Sequence, residues 1–301
     1  MGQQILAVGE VLWDLLPEGK QLGGAPANFT YQCRSLGADA RLVTRVGDDA
    51  LGREVRERFR LLGLPDETVQ IDPEFPTGTV DVALAEGGQP RFTIHEHVAW
   101  DRIMADANSL ATAARVDAVC FGSLCQRSEP ARTAIRSLVS ATRPGALRLF
   151  DVNLRPPFVD RQVIADSLTL ANALKLNDQE LPELTAMFGL SESVRESMAE
   201  LAGRFGLLLV ALTRGARGGL LLAGGVWSDH PGRPVAVSDT IGAGDAFTAA
   251  LVVGYLGGRP LDEINRHANE VAAFVCSQPG GTPTLPDALK SPSSVPSEAR
   301  Q

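Results

Sequence analysis

The sequence predicts an α/β protein: a three-layer fold with a mostly parallel central sheet, helices on both faces, and a small antiparallel β lid. Three observations predict it. Short β-branched or Leu-rich runs, apolar on both faces, alternate with longer stretches that carry one polar face, the pattern of βαβ units. Residues 78–94 instead alternate around a glycine-rich turn, as an antiparallel hairpin does. The chain has 301 residues, 44% hydrophobic and 21% charged, an ordinary globular composition at a length for one large or two modest domains.

The first buried strand is Ile5-Leu6-Ala7-Val8-Gly9, and residues 11–23 continue past it into a turn at Pro17-Glu18-Gly19. A strand at 41–46 leads through Gly47-Asp48-Asp49, assigned mainly to structure, into a helix at 52–62. The hairpin runs Thr79-Val80-Asp81-Val82-Ala83-Leu84, turns at Glu86-Gly87-Gly88-Gln89-Pro90, and returns through Arg91-Phe92-Thr93-Ile94. Attached to a parallel core, it is expected to form a lid over the site, with strands from about 11–24 and 77–100. Strands at 118–122, 148–152, 174–176 and 207–212 then alternate with helices such as 131–141 and 194–205. Residues 235–237 read as a short strand entering a glycine turn. Residues 1–288 form one domain, and the tail 289–301, with Ser-Pro and Ser-Ser steps, is expected to be loosely ordered.

Charge and composition exclude several classes. There are 28 basic and 36 acidic residues, a net charge of −8 and a pI near 5.1, so no basic footprint for nucleic acid or an anionic membrane is expected. The N-terminus shows no secretory signal, and no apolar run approaches the ~20 residues of a membrane span. Cys33, Cys120, Cys125 and Cys276 are scattered and read as reduced thiols of a cytoplasmic protein. His95, His97, His230 and His267 form no HExxH pair. Only Lys20, Lys175 and Lys290 are lysines, and Gly19-Lys20 is followed by Gln21, so there is no Walker A loop.

The most informative stretch is Asp239-Thr240-Ile241-Gly242-Ala243-Gly244-Asp245-Ala246-Phe247, followed by a helix that is apolar nearly all round. Such a helix is buried, so its N-terminus, with unpaired N–H groups and positive dipole character, opens into the interior or a cleft. Gly242 and Gly244 allow close approach of an anion, with Asp245 beside it. Read from the residues alone, a capping Asp and a tight turn explain the pattern as well. A dinucleotide fingerprint does not, because Phe247 stands where its third glycine belongs.

This stretch resembles the C-terminal signature of PfkB-type (ribokinase-like) carbohydrate kinases, closest to the bacterial fructokinase branch, over residues 4–286 or so. The resemblance implies a ribokinase-like fold. It also implies a catalytic group in which Asp245 takes the proton from a sugar hydroxyl while the backbone of Gly242, Ala243 and Gly244 stabilises the transferring phosphoryl group.

Other stretches agree. Gly23-Gly24-Ala25-Pro26-Ala27-Asn28 brings backbone close to a ligand, and the Asn28 amide suits a polyol, although an N-cap would also explain it. By resemblance Asp14, Gly24 and Asn28 bind the sugar. In Lys175-Leu176-Asn177-Asp178-Gln179-Glu180, Asn177 and Glu180 either start a helix or face one ligand and hold water around a hard cation. The family's Asn-x-x-Glu motif organises Mg2+ and phosphate there, which implies Mg2+ held by Glu180 through water. Thr213, Gly215 and Gly218 follow a strand end and read as a nucleotide-contacting loop or a hairpin turn, and the family places ATP there. Asn269 matches a position near the adenine in relatives. Relatives build a monovalent-cation site, a K+ site, partly from Asp239, but Gly280-Gly281-Thr282 departs from the usual Gly-Ala step, and the site is left open.

Phe150-Asp151-Val152-Asn153-Leu154-Arg155 closes a further strand, and alternation puts Asp151, Asn153 and Arg155 on one face. Arg155 suits a phosphate or carboxylate, or an internal pair with Asp151. The Asp-x-Asn-x-Arg pattern resembles fructokinases and 2-keto-3-deoxygluconate kinases, with Asn153 toward substrate and Arg155 toward the transferred group. The expectation is an ATP- and Mg2+-dependent sugar kinase converting D-fructose to D-fructose 6-phosphate. The alternatives are a ketodeoxygluconate or ribokinase-type kinase, a silent sugar-binding sensor and, remotely, a nicotinamide oxidoreductase. Partners are sugar and ATP, with no nucleic acid or membrane; resemblance adds a homodimer through the lid.

Overall fold

The computed structural model describes residues 2–17, 19–84 and 90–290. Its N-terminal half holds β1 (Gln4–Val8), β2 (Leu12–Leu16), β3 (Gly19–Gly23), α1 (Ala25–Ser35), β4 (Asp39–Gly47), α2 (Ala50–Leu61), β5 (Val69–Asp72), β6 (Thr79–Leu84) and β7 (Pro90–Ile94). There follow α3 (Ala107–Ala113), β8 (Ala118–Gly122), α4 (Glu129–Ser140), β9 (Leu147–Asp151), α5 (Arg161–Leu170), β10 (Ala173–Asn177), α6 (Glu180–Phe188) and α7 (Val194–Phe205). The last third comprises β11 (Leu209–Thr213), β12 (Gly219–Ala223), β13 (Val226–His230), α8 (Ala243–Leu256), α9 (Leu261–Cys276) and α10 (Asp287–Lys290).

Nine strands form the central sheet in the order β13-β12-β11-β10-β9-β8-β1-β4-β5. Pairing is parallel from β5 through β11, and β12 and β13 add an antiparallel edge. Strand alternation feeds two separate cores. Ile5 and Ala7 of β1 join α1, α2, α8 and α9 on one face, whereas Leu6 and Val8 join α3 to α7 on the other. α8 is buried from Ala246 to Gly254, as a helix without a polar face must be.

The expected strand at 207–212 enters the sheet only at Leu209. Gly206 ends α7 in a left-handed conformation, and the Leu207 amide still bonds back to Ala202. The expected strand at 235–237 does not form. Pro234 offers no N–H, Val235 and Val237 are exposed, and the Ser238 and Asp239 amides bond to the Cys276 carbonyl at the end of α9 rather than to a sheet.

The lid is a second sheet in the order β3-β2-β6-β7. Two antiparallel hairpins, β2–β3 and β6–β7, are joined by a parallel β2–β6 pair that aligns Asp14 with Val80. The expected turn at 86–89 and Glu18 lie outside the described residues. Behind β7, Trp100 is fully buried under the Arg127 guanidinium, 3.9 Å from its ring, and Arg127 holds Asp101 through two bonds of 2.8 and 3.0 Å. Leu289 and Lys290 end α10, where the Leu289 carbonyl meets His267; residues 291–301 lie outside the described ones.

Candidate active site

The site lies at the carboxyl ends of the parallel strands, where a sheet of this kind takes its ligands. β1 runs out into Glu10 and the lid, β9 ends at Asp151, β10 at Asn177 and β11 at Thr213. α8 opens among them. Its N-cap is Gly242 at φ 75, and a Cβ there would stand 2.5 Å from the Gly281 Cα, so only glycine fits. No side chain caps the helix, and the amides of Gly244 and Asp245 have no acceptor among the described residues. That first turn presents unpaired N–H donors at the positive end of the helix dipole.

Asp245, third residue of α8, does not cap it. Its Oδ2 accepts a 2.9 Å hydrogen bond from Asn28 Nδ2 instead. Burial pushes its carboxyl up to about 6, with Asp151 adding to the rise and Asn28, Lys175 and Arg155 opposing it. Asn28 is not an N-cap either. Gly24 holds that position in α1, at φ 109, where a Cβ would stand 2.5 Å from the Glu10 carbonyl oxygen and 3.1 Å from the Val11 Cα, and Asn28 lies one turn in, buried.

Asp14, half-buried on β2, is pushed up to about 6, first by burial and then by Asp239, against the pull of Arg155. Glu10 is buried and pushed up to about 7 by desolvation. Arg155 makes no ion pair among the described residues, yet its charge acts on Glu10, Asp14 and Asp245 alike. The alternative pairing of Arg155 with Asp151 does not occur, because Asp151 pairs with Lys175. Nor do Asp151, Asn153 and Arg155 share one face. β9 stops at Asp151 and Asn153 turns into the left-handed region at φ 43, which breaks the alternation.

Asn177 and Glu180 form a reciprocal cap at the start of α6. Asn177 Oδ1 accepts from the Gln179 and Glu180 amides, and Glu180 accepts from the amides of Asn177 and Leu154. The helix-start reading therefore holds, and it fixes the buried Glu180 carboxylate beside Lys175. Thr213 and Gly219 pair across the β11–β12 hairpin, with Gly215 and Gly218 in the turn between them. Asn269 donates its amide N–H groups to Asn265 one turn earlier, and Asn265 in turn donates to the Gly219 carbonyl of that hairpin. Asp239 accepts from the Ile241 and Gly280 amides, tying the helix-entry loop to the Gly280-Gly281 loop.

The family model of pfkB family carbohydrate kinases matches residues 18–288. The fructokinase of Klebsiella pneumoniae is 33% identical over 265 residues, 84% of this chain and 85% of that protein. This chain belongs to the pfkB carbohydrate kinase family. It is a phosphotransferase with an alcohol group as acceptor. An uncharacterised sugar kinase from Pyrococcus horikoshii is 30% identical to this kinase over 307 residues, 95% of this chain and 94% of that protein. Its structure in complex with ATP has a TM-score of 0.79 over 92% of this kinase and 94% of that chain. A protein provisionally assigned as ribokinase II from Escherichia coli, solved with ATP and Mg2+, has a TM-score of 0.80 at 21% identity, covering 93% of this kinase and 94% of that chain, and bears on the fold alone.

Two residues of the candidate site escaped the sequence reading. The signal of Glu10 is a carboxylate directly after the buried strand at 5–9. Lys175 stood between Leu174 and Leu176, and its signal was a lysine at the centre of a buried strand in a chain with only three.

Proposed function

We propose that this kinase transfers the γ-phosphoryl group of ATP to a primary hydroxyl of a free sugar, converting D-fructose to D-fructose 6-phosphate. The observation that carries the reading is Asp245, a carboxylate that accepts from the Asn28 amide and stands on a helix turn where the Gly244 and Asp245 amides have no acceptor among the described residues. A hydroxyl placed by Asn28, Asp14 and the Gly24 backbone meets a base on one side and an anion cradle on the other. The Klebsiella relative supports fructose, and the ATP complex of the Pyrococcus relative supports ATP.

Phosphoryl transfer asks the protein for in-line positioning and charge stabilisation. Asp245 takes the proton as the bond to phosphorus forms. The Gly242–Gly244 backbone and Arg155 stabilise the charge on the equatorial oxygens. Thr213, Gly215, Gly218 and Asn269 are assigned to the nucleotide.

The donor set fits Mg2+ held through water: Glu180 presents hard carboxylate oxygens at the strand ends, fixed in place by the Asn177 and Leu154 amides. Among the described residues no three acidic, His or Cys side chains form a cage, so the ion would share the phosphates and water, with Glu180 acting through water. When bound, Mg2+ neutralises phosphate charge. The Asp239 loop is assigned to a monovalent cation, K+, in the same proposal.

The test is ADP release over fructose, ribose, glucose, ketodeoxygluconate and adenosine. Highest kcat/KM with fructose is expected, and no sugar-dependent turnover at millimolar substrate would sink the reading. One observation favours ketodeoxygluconate as a second reading: Arg155 is exposed and has no ion pair among the described residues, donating only to the Leu154 carbonyl, and would suit a substrate carboxylate. On the fructose reading, Arg155→Gln leaves the sugar KM within about threefold. A carboxylate substrate would lose a charge-assisted bond of ~1.5–3 kcal/mol, and its KM would rise ~10-fold or more.

Asn28→Ala is expected to weaken sugar binding, read by calorimetry. Because Asn28 holds the Asp245 carboxylate down, the acid limb of kcat/KM should also move to higher pH. Unchanged sugar affinity and an unmoved limb would reduce Asn28 to a packing residue.

A further inference from the structure

Lys20 and Lys290 stand at the surface, paired with Glu54 and Asp287. Lys175 does not. It occupies the centre of β10 and is 6% exposed, although an apolar residue would hold that strand position without the cost of burying charge. Its partner is Asp151, directly opposite in the parallel β9–β10 register, with Nζ 3.0 Å from Oδ1. The other Asp151 oxygen accepts from Thr248 Oγ1 at 3.1 Å, and the same hydroxyl lies 2.8 Å from the Gly244 carbonyl. The ion pair is thereby tied to the first turn of α8. The ammonium itself lies against that turn, since a Cβ on Gly244 would be 3.4 Å from Nζ. Asp151 is its one hydrogen-bond acceptor among the described residues, although an ammonium has three N–H groups.

We propose that Lys175 is a positioning residue for phosphoryl transfer: its ammonium, held by Asp151 behind the Gly242–Gly244 loop, supplies fixed positive charge to the anion cradle and, through Thr248, sets where the loop stands. The inference rests on the kinase reading of this site. A buried ion pair contributes little to stability compared with apolar residues of the same volume, so balance with Asp151 alone does not account for Lys175. In a water-poor site, one fixed charge behind a row of amides acts strongly on an anion in front of them. Burial works against the ammonium, but Asp151, Glu180 and Asp245 outweigh it and keep it charged.

The test separates charge balance from support of the loop. Lys175→Met alone leaves Asp151 buried and unpaired, so it loses both stability and kcat. The double variant Lys175→Met/Asp151→Asn removes both charges, and Lys175→Gln/Asp151→Asn keeps a neutral hydrogen-bonded pair should the first fold poorly. In the doubles, Tm is expected to recover most of the loss. KM for sugar and affinity for ADP should stay within about threefold of the parent, while kcat stays at least ~10-fold below it. Calorimetry is the second readout: affinity for ADP–aluminium fluoride, a mimic of the transferred phosphoryl group, falls ~10-fold or more while ADP binding holds. Parent-level kcat and parent-level binding of that mimic in either double variant would overturn the inference and leave the kinase reading standing. A parent with no sugar-dependent ADP release overturns the kinase reading itself.

Discussion

Asp245→Asn is expected to lower kcat by ~10^2-fold or more while the sugar KM changes by less than about threefold, the scale of a lost general base. The carboxamide keeps the size of the side chain and a hydrogen-bonding oxygen for Asn28, so the sugar pocket is preserved and only proton acceptance is lost. The sign of the pH dependence follows. A general base at Asp245 works as the carboxylate, and burial raises its pKa to about 6, so parent kcat/KM should fall as pH drops through about 6. Asp151, Lys175 and Arg155 act on the same carboxyl. Glu10, pushed up to about 7, titrates close by, and the variant separates the two: any acid limb that survives Asp245→Asn belongs to another group. Near-parental turnover in the variant would remove Asp245 from the base role.

Gly242→Ala carries the second large effect. At φ 75 a non-glycine residue costs roughly 1–3 kcal/mol, and its Cβ would also meet the Gly281 Cα at 2.5 Å. Backbone cannot step aside as a flexible side chain does, so the two loops must part and the cradle opens. A stability loss of about 2 kcal/mol or more is expected, with kcat down ~10^2-fold as the cradle amides move off the phosphoryl group. Gly244→Ala is the contrast. Gly244 is helical and a Cβ there would meet nothing nearer than the Lys175 ammonium at 3.4 Å, so this variant should match or exceed parent stability by up to ~1 kcal/mol of helix propensity. Equal Tm values for the two variants would mean that strain at Gly242 is not what shapes the loop.

The parallel core was legible because buried strands announce themselves locally: Ala118–Gly122 needs nothing but its own apolar residues to be read. The glycine loop was legible for the same reason, since Gly242 through Asp245 and the apolar helix behind them are contiguous. Val235 and Val237 misled because they are β-formers without a partner strand, and pairing is not a local property. Asn153 misled because strand alternation was extended past the residue where the chain leaves the sheet.

The sequence by itself determined the class of sheet, the buried helix and the unpaired N-terminus at its start, all set by neighbours within a few positions. Tertiary structure decided which side chains meet. Asn28 reaches Asp245 across 217 positions, and Lys175 reaches Asp151 across 24, because strand register and helix packing place them together. Residue type prescribes a need for a partner, since a buried charge must be compensated, but only the folded register says which partner meets it.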